Sequence, residues 1–129
     1  MLSKLACTSV IFSSAHALKR DNISPMSVDN HARVLTDASN RQVVLHGVNV
    51  VPKIAPYLPL TQDFDPQKSL NELDMDNLAS WGMNFIRLGV MWEAVEVKPD
   101  VFDSAYLEKI ETLINKLGEK GFYVLIDAH

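Results

Sequence analysis

Only one cysteine, Cys7, stands among the 129 residues, so no disulfide can form within the chain and its core must hold by packing. A basic excess is missing too. The 16 acidic residues outnumber the 12 lysines and arginines and leave a formal charge of −4, which removes the electrostatic footprint of a nucleic-acid or anionic-membrane binder. No apolar run reaches the roughly 20 residues that a membrane-crossing helix needs. No G-x-G-x-x-G turn follows a strand-like segment, and dinucleotide binding thereby loses its main support. What remains has the ordinary apolar and charged fractions of a soluble globular chain, and its length sets a ceiling of one domain.

Residues 1–17 place Lys4 ahead of an apolar stretch through Leu5, Ala6, Val10, Ile11 and Phe12 and end on Ala15-His16-Ala17. That is the grammar of a secretory signal peptide, with small residues where the peptidase has shallow pockets. Cleavage is expected after Ala17, and Cys7 would leave with the leader; an ordinary amphipathic helix is the competing reading. The expected location is secreted or lysosomal, by way of the secretory pathway. Asn22-Ile23-Ser24 is a glycosylation sequon just past that point, with Asn22 as acceptor. Residues 18–30 are polar, are broken by Pro25 and show no periodicity, so they read as a flexible tail. The folded domain is expected over residues 31–129.

Two β-prone runs, Arg33-Val34-Leu35-Thr36 and Gln42-Val43-Val44-Leu45, flank a polar loop and predict a β-hairpin. Val48-Asn49-Val50-Val51 is rich enough in valine for a strand covered on both faces. Pro52, Pro56 and Pro59 then remove backbone donors and bias their predecessors away from helix, so residues 52–65 read as a long irregular loop. Leu70, Leu73, Leu78 and Trp81 recur at helical spacing, which predicts a first helix over residues 66–80, started at Asp65-Pro66. A second strand follows over residues 83–90. After a loop at 91–102, Asp103 or Ser104 can cap a helix carrying Leu107, Ile110, Leu113, Ile114 and Leu117. Residues 122–127 form a third apolar strand.

Helices between successive strands allow right-handed parallel crossovers, so the fold class is α/β with a parallel sheet. Without a phosphate-cradling turn, the (β/α)8 barrel is favoured over the doubly wound sheet. Because such a barrel typically needs about 250 residues, the chain is expected to supply its amino-terminal portion: a hairpin, the first three strands and the first two helices.

A strand covered on both faces rarely holds a guanidinium unless a carboxylate pairs with it, which singles out Arg87. Alternation sets Phe85 and Arg87 on one face and Ile86 and Leu88 on the other, so Arg87 is expected to face the barrel mouth. Glu93 and Glu96 lie in the following loop, and no carboxylate of this chain is an obvious mate, so the partner is expected in strands beyond His129. A strand-end arginine reaching solvent is the competing reading. Asp127 and His129 share a face at the carboxyl end of the third strand, where barrel enzymes bind substrate. That pair can hydrogen-bond sugar hydroxyls, hold a metal, or merely cap a turn. Lys53 sits just past the first strand, where it can reach over the same mouth or stay a surface lysine. Trp92, Glu93 and Glu96 can stack on a sugar or accept its hydroxyls, or serve as loop packing and solvated charge.

The runs Val43-Val44-Leu45-His46-Gly47-Val48-Asn49, Trp81-Gly82-Met83-Asn84-Phe85-Ile86-Arg87-Leu88-Gly89-Val90 and Val124-Leu125-Ile126-Asp127-Ala128-His129, in this order, resemble glycoside hydrolase family five. Val51-Pro52-Lys53 through Ala55-Pro56-Tyr57, with Met91-Trp92 after the second strand, is similar to its endoglycoceramidase branch. The resemblance implies a retaining glycosidase that separates glycan from ceramide in a glycosphingolipid, using two glutamates and neither a metal nor another cofactor. Both glutamates would lie beyond His129. It further implies that Lys53, Asp127 and His129 contact the sugar beside the scissile bond and that Arg87 orients the nucleophilic glutamate and keeps it ionised. The implied partner is the glycosphingolipid or its oligosaccharide, and membrane contact would come only through that lipid. Val97 and Asp100 depart from the family, whose loop has proline and glycine there.

A product lacking both glutamates would be inactive alone, which leaves a non-catalytic glycan- or glycolipid-binding protein as the first alternative. Three parallel strands with two open edges would make a poor monomer, which counts against it. A metal-dependent barrel hydrolase using His46, Asp127 and His129 is the second. It is disfavoured because His46 precedes its strand and belongs to the opposite rim.

Overall fold

The computed structural model describes residues 23–129, so the expected signal peptide and the acceptor Asn22 lie outside the described residues. The elements run β1 (Ser27–Asp29), β2 (Val34–Thr36), β3 (Gly47–Val50), α1 (Glu72–Ser80), β4 (Phe85–Val90), α2 (Trp92–Val95), β5 (Glu96–Lys98), β6 (Val101–Phe102), α3 (Ser104–Glu119) and β7 (Tyr123–Ala128). The central sheet is parallel, in the order β3-β4-β7, and the crossovers carry α1 and α3. Gly47 opens β3 because the strands approach closely there. A Cβ at that position would fall 1.6 Å from the Phe85 carbonyl oxygen.

Strand alternation divides the sheet into two faces. Ile86, Leu88 and Val90 of β4 join Met75 of α1 and Tyr106, Ile110, Leu113 and Leu117 of α3 in one buried cluster, with Phe122 leading into β7. Asp103 caps α3, its carboxylate accepting the Tyr106 N–H at 3.0 Å, as its place before the periodic run predicts. The opposite face bears Asn49, Arg87, Gly89, Leu125 and Asp127, which the register sets side by side: Asn49 with Arg87, Arg87 with Leu125, and Gly89 with Asp127.

The amino-terminal region departs from the expected arrangement. Ser27–Asp29, placed in the tail, is a strand paired antiparallel with Val34–Thr36. The short connection is fastened by the Asp29 carboxylate, which accepts the N–H groups of His31 and Ala32, and by Arg33 at φ 57°. A three-residue strand is too short to display a period, which is why it read as tail. The expected hairpin between residues 33–36 and 42–45 reduces to one bridge, Thr36 to Gln42, made by the Val43 N–H to the Leu35 carbonyl at 2.8 Å and the Asp37 N–H to the Arg41 carbonyl at 3.0 Å. Asn84 draws the next residues away: it donates to the Val44 carbonyl at 3.0 Å and accepts the His46 N–H at 2.8 Å.

The first helix starts later than its leucine spacing suggests. Asn71 and Asp74 form a reciprocal capping box that fixes the amino end at Glu72. Residues 66–69 are diverted into a turn on Asp65 and a bridge between Leu60 and Ser69. The expected loop at 91–102 contains α2 and the β5-β6 hairpin. Asp100 adopts φ 61°, the conformation for which glycine is suited, while its N–H donates to Glu96 Oε1 at 2.8 Å.

Candidate active site

The parallel strands end together at one rim, and the polar residues of the sheet's open face gather there. Asp127 is diagonal to Arg87, one pleat further along β7. An arginine side chain is long enough to cross that step, and Arg87 Nη2 pairs with Asp127 Oδ2. The expectation that Arg87 lacks a partner within this chain is therefore corrected. Strand register, which alternation within a single strand does not disclose, brings the carboxylate alongside.

His129 completes the cluster, its Nε2 lying 2.7 Å from the same Oδ2. Its backbone extends the ladder, donating to the Val90 carbonyl at 3.0 Å and accepting from the Trp92 N–H at 2.8 Å, so its position is fixed by main chain. Asp127 Oδ2 is shielded from solvent, yet neither nitrogen is aligned with it as a hydrogen-bond donor. The contact with Arg87 joins opposite charges, and that with His129 is a close approach of the imidazole to the same oxygen. The oxygen keeps directional capacity for a hydroxyl or water.

Lys53 lies on the exposed stretch after β3, and among the described residues it makes neither an ion pair nor a hydrogen bond. It lines a groove of about 670 Å³ together with Asn49, Val51, Ile54, Leu60 and Lys68. Asn49 links that groove to the cluster, because it is the register partner of Arg87. Sequence reading passed over Asn49. An amide inside the valine run was the available signal.

Other candidates are not gathered in. Trp92 is exposed, and Glu93 is exposed beside it. Glu96 is engaged in its own hairpin through Asp100. His46 precedes Gly47 at the start of β3, whereas Asp127 and His129 close β7, so the parallel sheet holds them at opposite ends. No group of three metal-ligand residues forms among the described residues. Near the rim, Tyr106 is buried under the loop, and its hydroxyl donates to the Tyr57 carbonyl at 3.2 Å. Burial raises the Tyr106 phenol above its ordinary value, an effect tempered by the Met91 backbone, so it stays a donor at neutral pH.

A family model described as Cellulase (glycosyl hydrolase family 5) matches residues 36–129. Endoglycoceramidase I of Rhodococcus hoagii (strain 103S) is 39% identical over 95 residues, covering 74% of this chain and 18% of that protein. An endoglycoceramidase of Cyanea nozakii is 32% identical over 125 residues, covering 97% of this chain and 25% of its own length. The solved structure of endo-glycoceramidase II from Rhodococcus sp. in a ganglioside GM3 complex superposes with a TM-score of 0.57 at 29% identity, covering 73% of this chain and 20% of that one. The chain thus spans a quarter or less of the length of these relatives. On the family match, the chain belongs to glycosyl hydrolase family 5, and it is similar to endoglycoceramidases.

Proposed function

We propose that the chain is the amino-terminal portion of a retaining glycosidase that cuts between glycan and ceramide in a glycosphingolipid, built on an eight-stranded barrel whose first three strands are β3, β4 and β7. The observation that carries the reading is the Arg87–Asp127–His129 cluster on the open face at the carboxyl end of parallel strands. In a barrel that face is the interior, and its carboxyl end is the substrate mouth.

Each residue then has a chemical task. Asp127 anchors the guanidinium through one nitrogen and leaves the others of the planar fork to face a second carboxylate, the nucleophilic glutamate. The positive charge favours the ionised form of that glutamate and fixes its approach to the anomeric carbon. Asp127 and His129 offer acceptor and donor atoms to the sugar hydroxyls, and Lys53 brings a donor from the loop. A second glutamate protonates the leaving ceramide oxygen and then takes the proton of the water that releases the glycan. Secretion with removal of residues 1–17 and glycosylation at Asn22 belong to the same proposal, supported by the leader grammar and the sequon.

The test is to express the full-length product of the gene and incubate it with ganglioside, lactosylceramide and glucosylceramide in detergent. Release of intact oligosaccharide and free ceramide, with β-configuration at the new reducing end, is expected. Stepwise release of single sugars from the outer end, inversion at that carbon, or no hydrolysis would overturn it.

A further inference from the structure

The stretch carrying Lys53 is held in an unusual way. Lys53, Ile54, Ala55 and Pro56 are all exposed, so these residues gain almost no packing of their own. A segment with so few buried contacts opens locally at low cost unless its ends are fixed. Both ends are fixed, by residues without chemistry to offer a substrate. At the first, Val51 rests on Gly89 of β4, where an added Cβ would stand 2.6 Å from Val51 Cγ1 and 3.1 Å from Val51 Cβ. At the second, the Tyr106 hydroxyl donates to the Tyr57 carbonyl from within the core. Between them a turn is closed by the Tyr57 N–H to the Ile54 carbonyl at 2.9 Å. Tyr57 itself stands at φ 60°, which a non-glycine residue keeps only when its neighbours hold it there.

We infer that Gly89 and Tyr106 are positioning residues for Lys53, clamping the two ends of the exposed arch formed by residues 51–57; for what Lys53 does, this rests on the glycosidase reading. A lysine reaches its partner through a flexible four-carbon stem, so the backbone beneath must be fixed if the ammonium is to meet a sugar hydroxyl at hydrogen-bond distance. Gly89 sets where the arch leaves the sheet. Tyr106 sets where it lands, and it ties that landing to α3, which also packs under β4.

The experiment uses the full-length gene product, with hydrogen exchange and steady-state kinetics on lactosylceramide as separate readouts. Tyr106→Phe keeps the buried ring and deletes the hydroxyl, which donates to the Tyr57 carbonyl and also meets the Met91 backbone. Faster exchange of the Tyr57 amide is expected, with kcat/KM falling about fivefold, the worth of one neutral hydrogen bond, mainly through KM. In a Lys53→Ala background the same substitution should change kcat/KM by less than about twofold, because the residue through which it acts is gone. Gly89→Ala should lower kcat/KM, and adding Val51→Ala, which removes the Cγ1 that the new methyl would strike, should restore part of it. Equal losses from Tyr106→Phe with and without Lys53, unchanged exchange at Tyr57, or no relief from Val51→Ala would overturn the clamp. If the wild-type protein hydrolyses no glycoside, the glycosidase reading fails by itself, and the exchange data still decide whether the arch is clamped.

Discussion

Along β4, Ile86, Leu88 and Val90 keep 8% or less of their surface exposed beneath α1 and α3, while Arg87, between them in sequence, points to the open face and binds Asp127. One strand therefore packs with every second residue and turns Arg87, between them, to the open face. The covered face is apolar and tolerates little change in volume. The open face carries Arg87, Asp127, His129 and Asn49, together with Leu125, which remains 49% exposed. Under the proposed function, stability and activity divide by residue parity along β4, and substitutions can ask whether they separate in practice.

The largest expected effect is on the covered face. Leu88→Ala should cost about 2–5 kcal/mol in urea unfolding through lost transfer energy and the cavity it leaves, whereas Leu125→Ala should stay within about 0.5 kcal/mol. Similar losses for both would mean that the faces are not divided. Away from the sheet, Asn71→Ala removes the side-chain acceptor of the Asp74 N–H in the capping box at α1, leaving the backbone N–H of residue 71 to donate to Asp74, and should cost about 1 kcal/mol, read from the same unfolding curves. Asp100→Gly relieves a left-handed conformation at the β5-β6 turn and should stabilise by about 0.5–1 kcal/mol without altering the site.

The smallest effect concerns pH. Glu72 binds Lys116 at 2.7 Å and Lys120 at 2.9 Å, and these contacts, that with Lys116 first, lower its carboxyl from an ordinary 4.5 to about 2. A carboxylate held low in the folded state contributes stability above its unfolded value and loses it as pH falls from about 4.5 through 2. Because this group is exposed, solvent and salt screen the contribution. Glu72→Gln should slightly flatten the acid limb of a stability–pH curve, and molar salt should erase the difference.

Much of this division was legible in the sequence. The parity that separates Arg87 from Ile86 and Leu88 is a property of one strand, and the capped, periodic run after Asp103 needs only local rules. What escaped depended on relations between segments. Arg87 found Asp127 because β4 and β7 align Gly89 with Asp127, and no pattern within either strand states that register. Asn84 pulled residues 44–46 out of the expected hairpin from 38 and 40 positions away. The helix start was a local error of another kind: Asp65-Pro66 and Asn71 both offer a start, and the reciprocal bond to Asp74 decided between them.

The central claim, that the open face is an active site organised by Arg87, is tested most directly by Arg87→Ala in the full-length protein, with kcat, KM and unfolding measured on the same preparation. The account predicts a fall in kcat of about 100-fold or more with little change in KM, because the guanidinium acts on the nucleophile and not on the bound sugar. Arg87→Lys should recover only part, since a point charge lacks the planar fork that serves two carboxylates together. A folded Arg87→Ala protein with near-normal kcat would contradict the account and leave Arg87 as a strand-end charge paired with Asp127.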